Sequence, residues 1–414
     1  MMNIESTLFS ALPKDAADIL NNFDEIIQHT LPLNSRQQYQ LPENIRRLSH
    51  QLTDERPSRR MGYMNEAAAL SAYIRYFMWW NLVRLTPLFA GFAGGPFARM
   101  RDGDVCLDCG SGPLTVPVAL WLACPELRTK KLTWYCLDLS QTALSHGEDL
   151  YTAVAARTAA TTPDQQLWQI IRVKGAVGTE IKKKAAFISC ANMFNELFWN
   201  SEAPLEQLVK KYSGQILSYA DTSASVLLIE PGVPRAARFV SLFRDALLRK
   251  GFSILAPCPH ETICPMDGRK GGKWCHFVLE TDNAPSRLKK LSAAAGIPKD
   301  RASLSFVYAA RTTAADTADV APAKDASTLT GSPRRNSAGK NAPVDAALRL
   351  RVISDAIALK NGTTGRYSCS EKGLTLAIAP ENALTSGDLV CVDKTGKTEI
   401  DRKSGAVKIT CTAL

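Results

Sequence analysis

From Val105 onward, short runs of apolar residues alternate with longer stretches whose apolar positions recur every three or four residues. The runs Val105–Cys109, Leu132–Leu137, Trp168–Val173, Ala186–Cys190, Val226–Glu230, Phe252–Ala256 and Leu304–Ala309 have the length and content of strands. Stretches such as Pro117–Ala123, Gln141–Ala156 and Arg235–Lys250 lie between them and predict helices. Strands that are apolar throughout are buried on both faces, and helices between successive strands supply parallel crossovers. The pattern therefore predicts an α/β fold with a doubly wound sheet. No crossover helix is evident before Leu304–Ala309, which predicts one antiparallel edge strand.

The flanking segments differ. Residues 1–60 predict helices with polar linkers, and a long helix follows from about Met64 to Leu85, whose aromatic stripe with Trp79 and Trp80 suits core packing. The sheet domain occupies 61–310. Residues 311–345 carry no aromatic side chain and are rich in Ala, Thr, Asp, Ser and Pro, a composition that cannot bury enough apolar surface to fold and predicts a disordered linker. Residues 346–414 turn β-like, with runs at Leu348–Ile353, Arg366–Ser370, Leu374–Ile378, Leu389–Val392 and Val407–Thr410, and predict a small β domain, a barrel or meander.

Charge adds a partner. The 414 residues carry a net charge of +10, with basic runs at Arg128–Lys131, Lys182–Lys184, Lys210–Lys211, Lys289–Lys290 and Arg334–Arg335, and such a balance favours a polyanion such as RNA. No apolar run is long enough to span a bilayer. The stretch Met1–Leu20, with Glu5, Lys14, Asp15 and Asp18, lacks the apolar region of a secretory signal, so a cytoplasmic location is expected. In that compartment the eleven cysteines stay reduced or bind metal, and Cys106, Cys109, Cys136 and Cys190 lie in strand-like runs as core thiols.

The first strand ends in Asp108-Cys109-Gly110-Ser111-Gly112-Pro113, and glycines between a strand and a helix let backbone approach a ligand closely. In a doubly wound sheet this turn is where nucleotide-like cofactors bind. Asp108 can accept from an ammonium group, and Asp138, at the end of the second strand, can accept from a ribose diol. The pair suits S-adenosylmethionine better than a dinucleotide, because Thr115 stands where a dinucleotide fingerprint needs its last glycine; Leu114 occupies the third glycine of the methyltransferase pattern. After the fourth strand, Asn195 and Glu196 could touch substrate, with a helix N-cap the stronger expectation. No amine-methylation motif of the D/N-P-P-Y/F type follows that strand, and no general base can be named.

The loop after Phe252–Ala256 holds Cys258, Cys264 and Cys275, flanked by proline and glycine. Three thiols in a loop with no core of its own point to a metal that orders it, and the fourth ligand must come from elsewhere, with Cys369 the best candidate. Spacing alone leaves zinc and iron open, and His260 and His276 keep a Cys3His zinc site in play.

Taken together, Ala256-Pro257-Cys258-Pro259-His260, Cys264-Pro265, Trp274-Cys275-His276-Phe277, the Asp108–Pro113 turn, Leu228-Ile229-Glu230-Pro231-Gly232, Arg351–Asp355 and Arg366–Gly373 resemble the Rsm-type small-ribosomal-subunit methyltransferase-like family, with bacterial and mitochondrial members. The resemblance implies a class I methyltransferase fold and a [4Fe–4S] cluster on Cys258, Cys264, Cys275 and Cys369. It also implies S-adenosylmethionine contacts from Asp108, Gly110, Gly112 and Asp138, and a role on small-subunit ribosomal RNA, the protein being monomeric off the ribosome. Two rival expectations are a non-catalytic assembly factor and a zinc-stapled methyltransferase acting on protein or a small molecule.

Overall fold

Continuous apolar runs need partners on both faces and both edges, and two eight-stranded sheets provide them. The structure is a computed structural model that describes residues 2–53, 62–198, 201–269, 272–312, 347–359, 362–392 and 399–411. The linker expected at 311–345 falls almost wholly outside these residues.

The chain opens with strand β1 (Met2–Ser6), followed by helices α1 (Lys14–Asn21), α2 (Phe23–Thr30) and α3 (Ser35–Thr53). Helix α4 (Ala67–Ala72), a π-helical turn (Tyr73–Met78) and α5 (Trp79–Ala90) then form one continuous helical rod. The central sheet follows: β2 (Val105–Cys109), α6 (Thr115–Ala123), β3 (Thr133–Asp138), α7 (Gln141–Thr158), β4 (Gln169–Lys174), β5 (Ala185–Ala191), α8 (Phe194–Leu197), α9 (Leu205–Ser218), β6 (Ala220–Pro231), α10 (Pro234–Arg249), β7 (Phe252–Ala256), β8 (Phe277–Glu280), α11 (Ser286–Ala294) and β9 (Arg301–Arg311). Its strand order is β4-β3-β2-β5-β6-β9-β7, with β8 also paired to β9. The first five strands are parallel, and β9 runs antiparallel to β6, β7 and β8. This is the mixed α/β sheet of the class I methyltransferase fold.

Two expectations about this sheet need correction. The antiparallel strand is internal rather than at the edge: β9 is buried along most of its length, with β6 on one side and β7 and β8 sharing the other. A helix, α11, does precede it. The four-residue β8, directly after the cysteine loop, was too short for its own apolar signal to stand out.

Side chains of the central strands divide between two cores. Cys106, Trp134, Phe187, Leu227 and Phe306 face the N-terminal helices, where Phe23, Trp79, Trp80 and Trp121 pack. Leu107, Leu137, Ile188, Leu228 and Val307 face α9 and α10 through Phe194, Phe239 and Phe243. The tryptophan stripe is core, as expected: Trp79 Nε1 donates to Leu20 O (2.9 Å) and Trp80 Nε1 to Ser292 Oγ (3.1 Å).

The second sheet is built from β10 (Leu348–Val352), β11 (Ile357–Ala358), β12 (Thr363–Ser370), β13 (Gly373–Pro380), β14 (Leu389–Val392), β15 (Glu399–Ile400) and β16 (Val407–Thr410), together with β1, in the order β1-β14-β10-β12-β13-β16-β15 with β11 on β12. Met2–Ser6 thus forms a strand where the sequence suggested helix, because its backbone pairs with β14 at the far end of the chain. This tail sheet docks on the central domain. Buried Arg351 donates to Pro257 O (2.8 Å) and Gly387 O (2.6 Å), and Val278 N donates to Ser386 Oγ (3.0 Å).

Candidate functional site

The C-terminal ends of β2, β3 and β5 open on a pocket lined by Gly110, Gly112, Asp138, Asn192 and Glu196 among others, the place where an open α/β sheet binds its ligands. Its floor is the glycine turn. Gly110 and Gly112 have φ of 68° and 51°, and a Cβ on Gly110 would lie 2.6 Å from the Met193 side chain, so both the backbone turn and the space require glycine. Gly110 N and Ser111 N donate to Leu137 O at 2.8 and 3.1 Å, tying the turn to β3.

Asp138 does more than the sequence suggested. Its carboxylate accepts from Gly112 N (2.9 Å) and Ser140 N (2.8 Å), so it braces the turn while also lining the pocket. Burial raises its pKa, and those backbone donors oppose the rise. Each carboxylate oxygen keeps a lone pair for a ligand hydroxyl. Ser140 Oγ accepts from Ala143 N (3.1 Å), capping α7, and donates to Asn65 Oδ1 (2.8 Å). That bond holds the turn Tyr63–Asn65 against the pocket mouth, where Tyr63 and Met64 form one wall and Tyr63 Oη donates to Glu196 Oε1 (3.2 Å). Leu139, Val177 and Leu197 make an apolar wall.

Behind Gly110 lies a small recess with room for about one water-sized group, which shares Tyr73, Gly110, Ala191 and Asn192 with the pocket. Asp108 lines it. Its Oδ1 accepts from Ser189 Oγ (2.7 Å), while Asp108 Oδ2, Asn192 Oδ1 and the hydroxyl of Ser111 are buried without a hydrogen-bond partner among the described residues. Burial pushes the Asp108 carboxyl up to about 7, against the hydrogen bond from Ser189, and the nearby Asp138 carboxylate adds to the rise. Two unfilled acceptors beside a cavity fit a donor-rich cationic group.

Leu114 adopts φ of 58°, the left-handed conformation in which glycine is favoured, and its buried side chain points away from the pocket, toward Gly147 of α7. The departure from glycine therefore leaves the pocket open. The N-cap expected of Asn195 and Glu196 is supplied by another residue: the buried Glu230 accepts from Phe194 N (2.8 Å) and Asn195 N (2.9 Å), and burial pushes its carboxyl up to about 8. Glu196 lines the pocket instead.

Sequence reasoning missed Asn192, Tyr73 and Tyr63. Asn192 carried a signal: it ends an apolar strand run, and its φ of 57° is a left-handed conformation that Asn tolerates. Tyr73 reaches the site because it begins the π-helical turn, a feature often found at functional positions, and nothing in the apolar periodicity marks it.

The cysteine loop and β12 bring Cys258, Cys264, Cys275 and Cys369 within electrostatic reach of one another. Burial, then the neighbouring thiols, holds Cys275 and Cys369 well above the usual thiol range; burial pushes Cys258 up to about 11 against the pull of Arg244. Arg244 Nε donates to Cys258 Sγ (3.2 Å), and its Nη2 donates to His260 O and Thr262 O, both at 3.0 Å. His260 Nε2 lies 3.0 Å from Cys369 Sγ, whereas His276 turns to Trp274, with Nδ1 3.1 Å from Trp274 O. Among the described residues, no group of three or more His, Cys, Asp or Glu is gathered so as to hold a metal ion.

The basic runs are partly structural. Arg128 is fully buried, paired with Asp15 at 2.5 Å, and the ammonium groups of Lys130, Lys184 and Lys289 bond backbone carbonyls. Lys182, Lys183, Lys210, Lys211 and Lys290 remain exposed, and Arg334–Arg335 lie outside the described residues. No described helix is long and apolar enough to cross a membrane.

The family model described as mitochondrial small ribosomal subunit Rsm22 matches residues 104–334. No curated protein matches the chain. Among solved structures, the chain is similar to a SAM-dependent methyltransferase from Thiobacillus denitrificans in complex with S-adenosyl-L-homocysteine (13% identity, covering 56% of this chain and 91% of that one, TM-score 0.29). It is also similar to the ribosomal protein L11 methylase of Lactobacillus delbrueckii subsp. bulgaricus (15% identity, 42% and 71%, TM-score 0.27).

Proposed function

The chain belongs to the family of the mitochondrial small ribosomal subunit protein Rsm22, and on that premise we propose that it is an S-adenosylmethionine-binding methyltransferase acting on small-subunit ribosomal RNA. One observation carries the cofactor part: the buried, partnerless Asp108 Oδ2 and Asn192 Oδ1 beside the glycine turn. A methionine ammonium supplies the donors they lack. Asp138 takes the ribose hydroxyls, and Leu139, Val177 and Leu197 cover the base. When bound, the cofactor supplies an electrophilic methyl group. The protein's own part is to orient it, exclude water with Tyr63 and Met64, and hold a nucleophilic RNA atom in line, which is catalysis by positioning.

The four thiols are the best-fitting holders of an iron–sulfur cluster. They converge from two segments and they are all sulfur, a donor set that suits such a cluster. Such a group would serve as a staple between the cysteine loop and the tail sheet.

Titration of the full-length protein with S-adenosylmethionine, followed by methyl transfer from labelled cofactor to small-subunit particles, tests this function. Saturable binding and label in the RNA are expected. Absence of binding overturns it, and binding without transfer gives the non-catalytic assembly factor its place.

A further inference from the structure

Where the cysteine loop meets the tail sheet, a second cleft of about 620 Å³ opens, lined by Lys273, Trp274, His276, Ser354, Ile357 and Tyr367 among others. We propose that this cleft binds an unpaired RNA nucleotide, with its base stacked on the aromatic walls and its phosphate held by Lys273. The proposal rests on the RNA part of the function above and not on methyl transfer.

One wall is rigid. Trp274 Nε1 donates to Gly232 O (3.0 Å), which fixes the indole, and the His276 ring stacks on it at 5.1 Å with planes 23° apart. The opposite wall is Tyr367, which belongs to β12 and has Lys273 Nζ 4.5 Å above its ring. A cation on the face of a half-buried tyrosine is held only modestly, whereas a nucleobase offers a larger flat partner. A base entering the cleft takes the Tyr367 face and releases the ammonium to a phosphate.

The surroundings favour RNA over an acidic or apolar peptide. Asp355, the carboxylate in the lining, is neutralised by Arg301 at 2.7 Å. On the loop, Asp267 is shared between Arg238 (3.3 Å) and Arg269 (2.6 Å), and the Arg269 side chain is 75% exposed. Arg238 also pairs with Glu206 (2.5 Å), so these ion pairs balance and Lys273 adds a cation to the cleft lining, which suits a backbone phosphate. The nucleotide must be unpaired because the ring faces of a duplex are already stacked.

The test uses the full-length protein and a fluorescein-labelled, unstructured oligoribonucleotide of adenosine and uridine, read by anisotropy. Tyr367→Leu and the exposed-site variant Lys273→Glu should each bind about tenfold more weakly, and Tyr367→Phe should bind as the parent does. A 4-thiouridine version should crosslink to Trp274 or Tyr367. Parental affinity in both Tyr367→Leu and Lys273→Glu, equal affinity for the same sequence as a duplex, or crosslinks confined to other surfaces would overturn the proposal. S-adenosylmethionine titration of the same variants should be unchanged, so failure at this cleft and failure at the cofactor pocket are separable.

Discussion

The proposed cofactor pocket and the cysteine site each gather polar groups against an apolar interior, yet they are organised by different means. In the pocket, contiguous backbone does the work: Gly112 N and Ser140 N fix Asp138, Leu137 O fixes the glycine turn, and the unfilled acceptors face a cavity of defined shape. At the cysteine site the four thiols come from a proline-rich loop and from β12 in another sheet, and neighbouring thiols raise the energy of ionising Cys258, Cys275 and Cys369. The first site is preorganised and needs only its ligand. The second joins two parts of the chain, so whatever fills it contributes to folding as well.

The largest expected effect breaks the second site. Cys369→Ser, purified anaerobically beside the parent, should lose visible absorbance and most of its iron and acid-labile sulfide, and its tail sheet should become sensitive to limited proteolysis. Full iron content with a protected tail would remove Cys369 from the ligand set. Next is Arg351→Ala, which strips hydrogen bonds from the buried carbonyls of Pro257 and Gly387. Gly387 O keeps the Leu8 N–H (3.1 Å) while Pro257 O loses its donor, so the change should cost about 1–3 kcal/mol, measured as a lowered midpoint in chemical denaturation, with cofactor affinity in the pocket unchanged.

The third variant sharpens the contrast from the other side. Asp138→Ala removes the proposed partner of the ribose and the brace of Gly112 together. Cofactor affinity measured by calorimetry should fall by about 1.5–3 kcal/mol, while iron content stays at the parent level. Unchanged affinity would place the ribose elsewhere.

How far the sequence reveals these features follows from the same contrast. The glycine turn, Asp108 and Asp138 were legible because strand, turn and helix that build them are local, and apolar runs mark each strand end. The internal place of β9 was hidden, since an all-apolar run says that a strand is buried but not which strands flank it. Met2–Ser6 could not be recognised as a strand because its partner, β14, lies at the other end of the chain. The convergence of Cys369 with the loop cysteines was suggested by sulfur chemistry and family resemblance, whereas Arg244, Arg351 and the cleft between Trp274 and Tyr367 depend on tertiary docking that leaves no local periodicity. Asn192 and Glu230 sit between these extremes: each ends a strand run, but its role depends on what burial leaves unpaired.

The most direct test of the cofactor pocket is the pH dependence of S-adenosylmethionine affinity in the full-length protein, measured by calorimetry in buffers of different ionisation enthalpy. Burial raises the Asp108 carboxyl from 3.8 to about 7 in the folded protein. Its contribution to stability is therefore fully present below its unfolded pKa and is lost as pH rises through about 7. Binding an ammonium requires the ionised form, so below pH 7 the complex must expel the Asp108 proton. Affinity should rise by up to about tenfold per pH unit toward pH 7 with proton release, and decline again once the ligand's own α-amino group deprotonates near pH 8. Asp108→Asn should flatten the rising limb. Affinity that does not change between pH 5.5 and 7, or binding without proton release in that range, would contradict the assignment of Asp108 as the ammonium's partner.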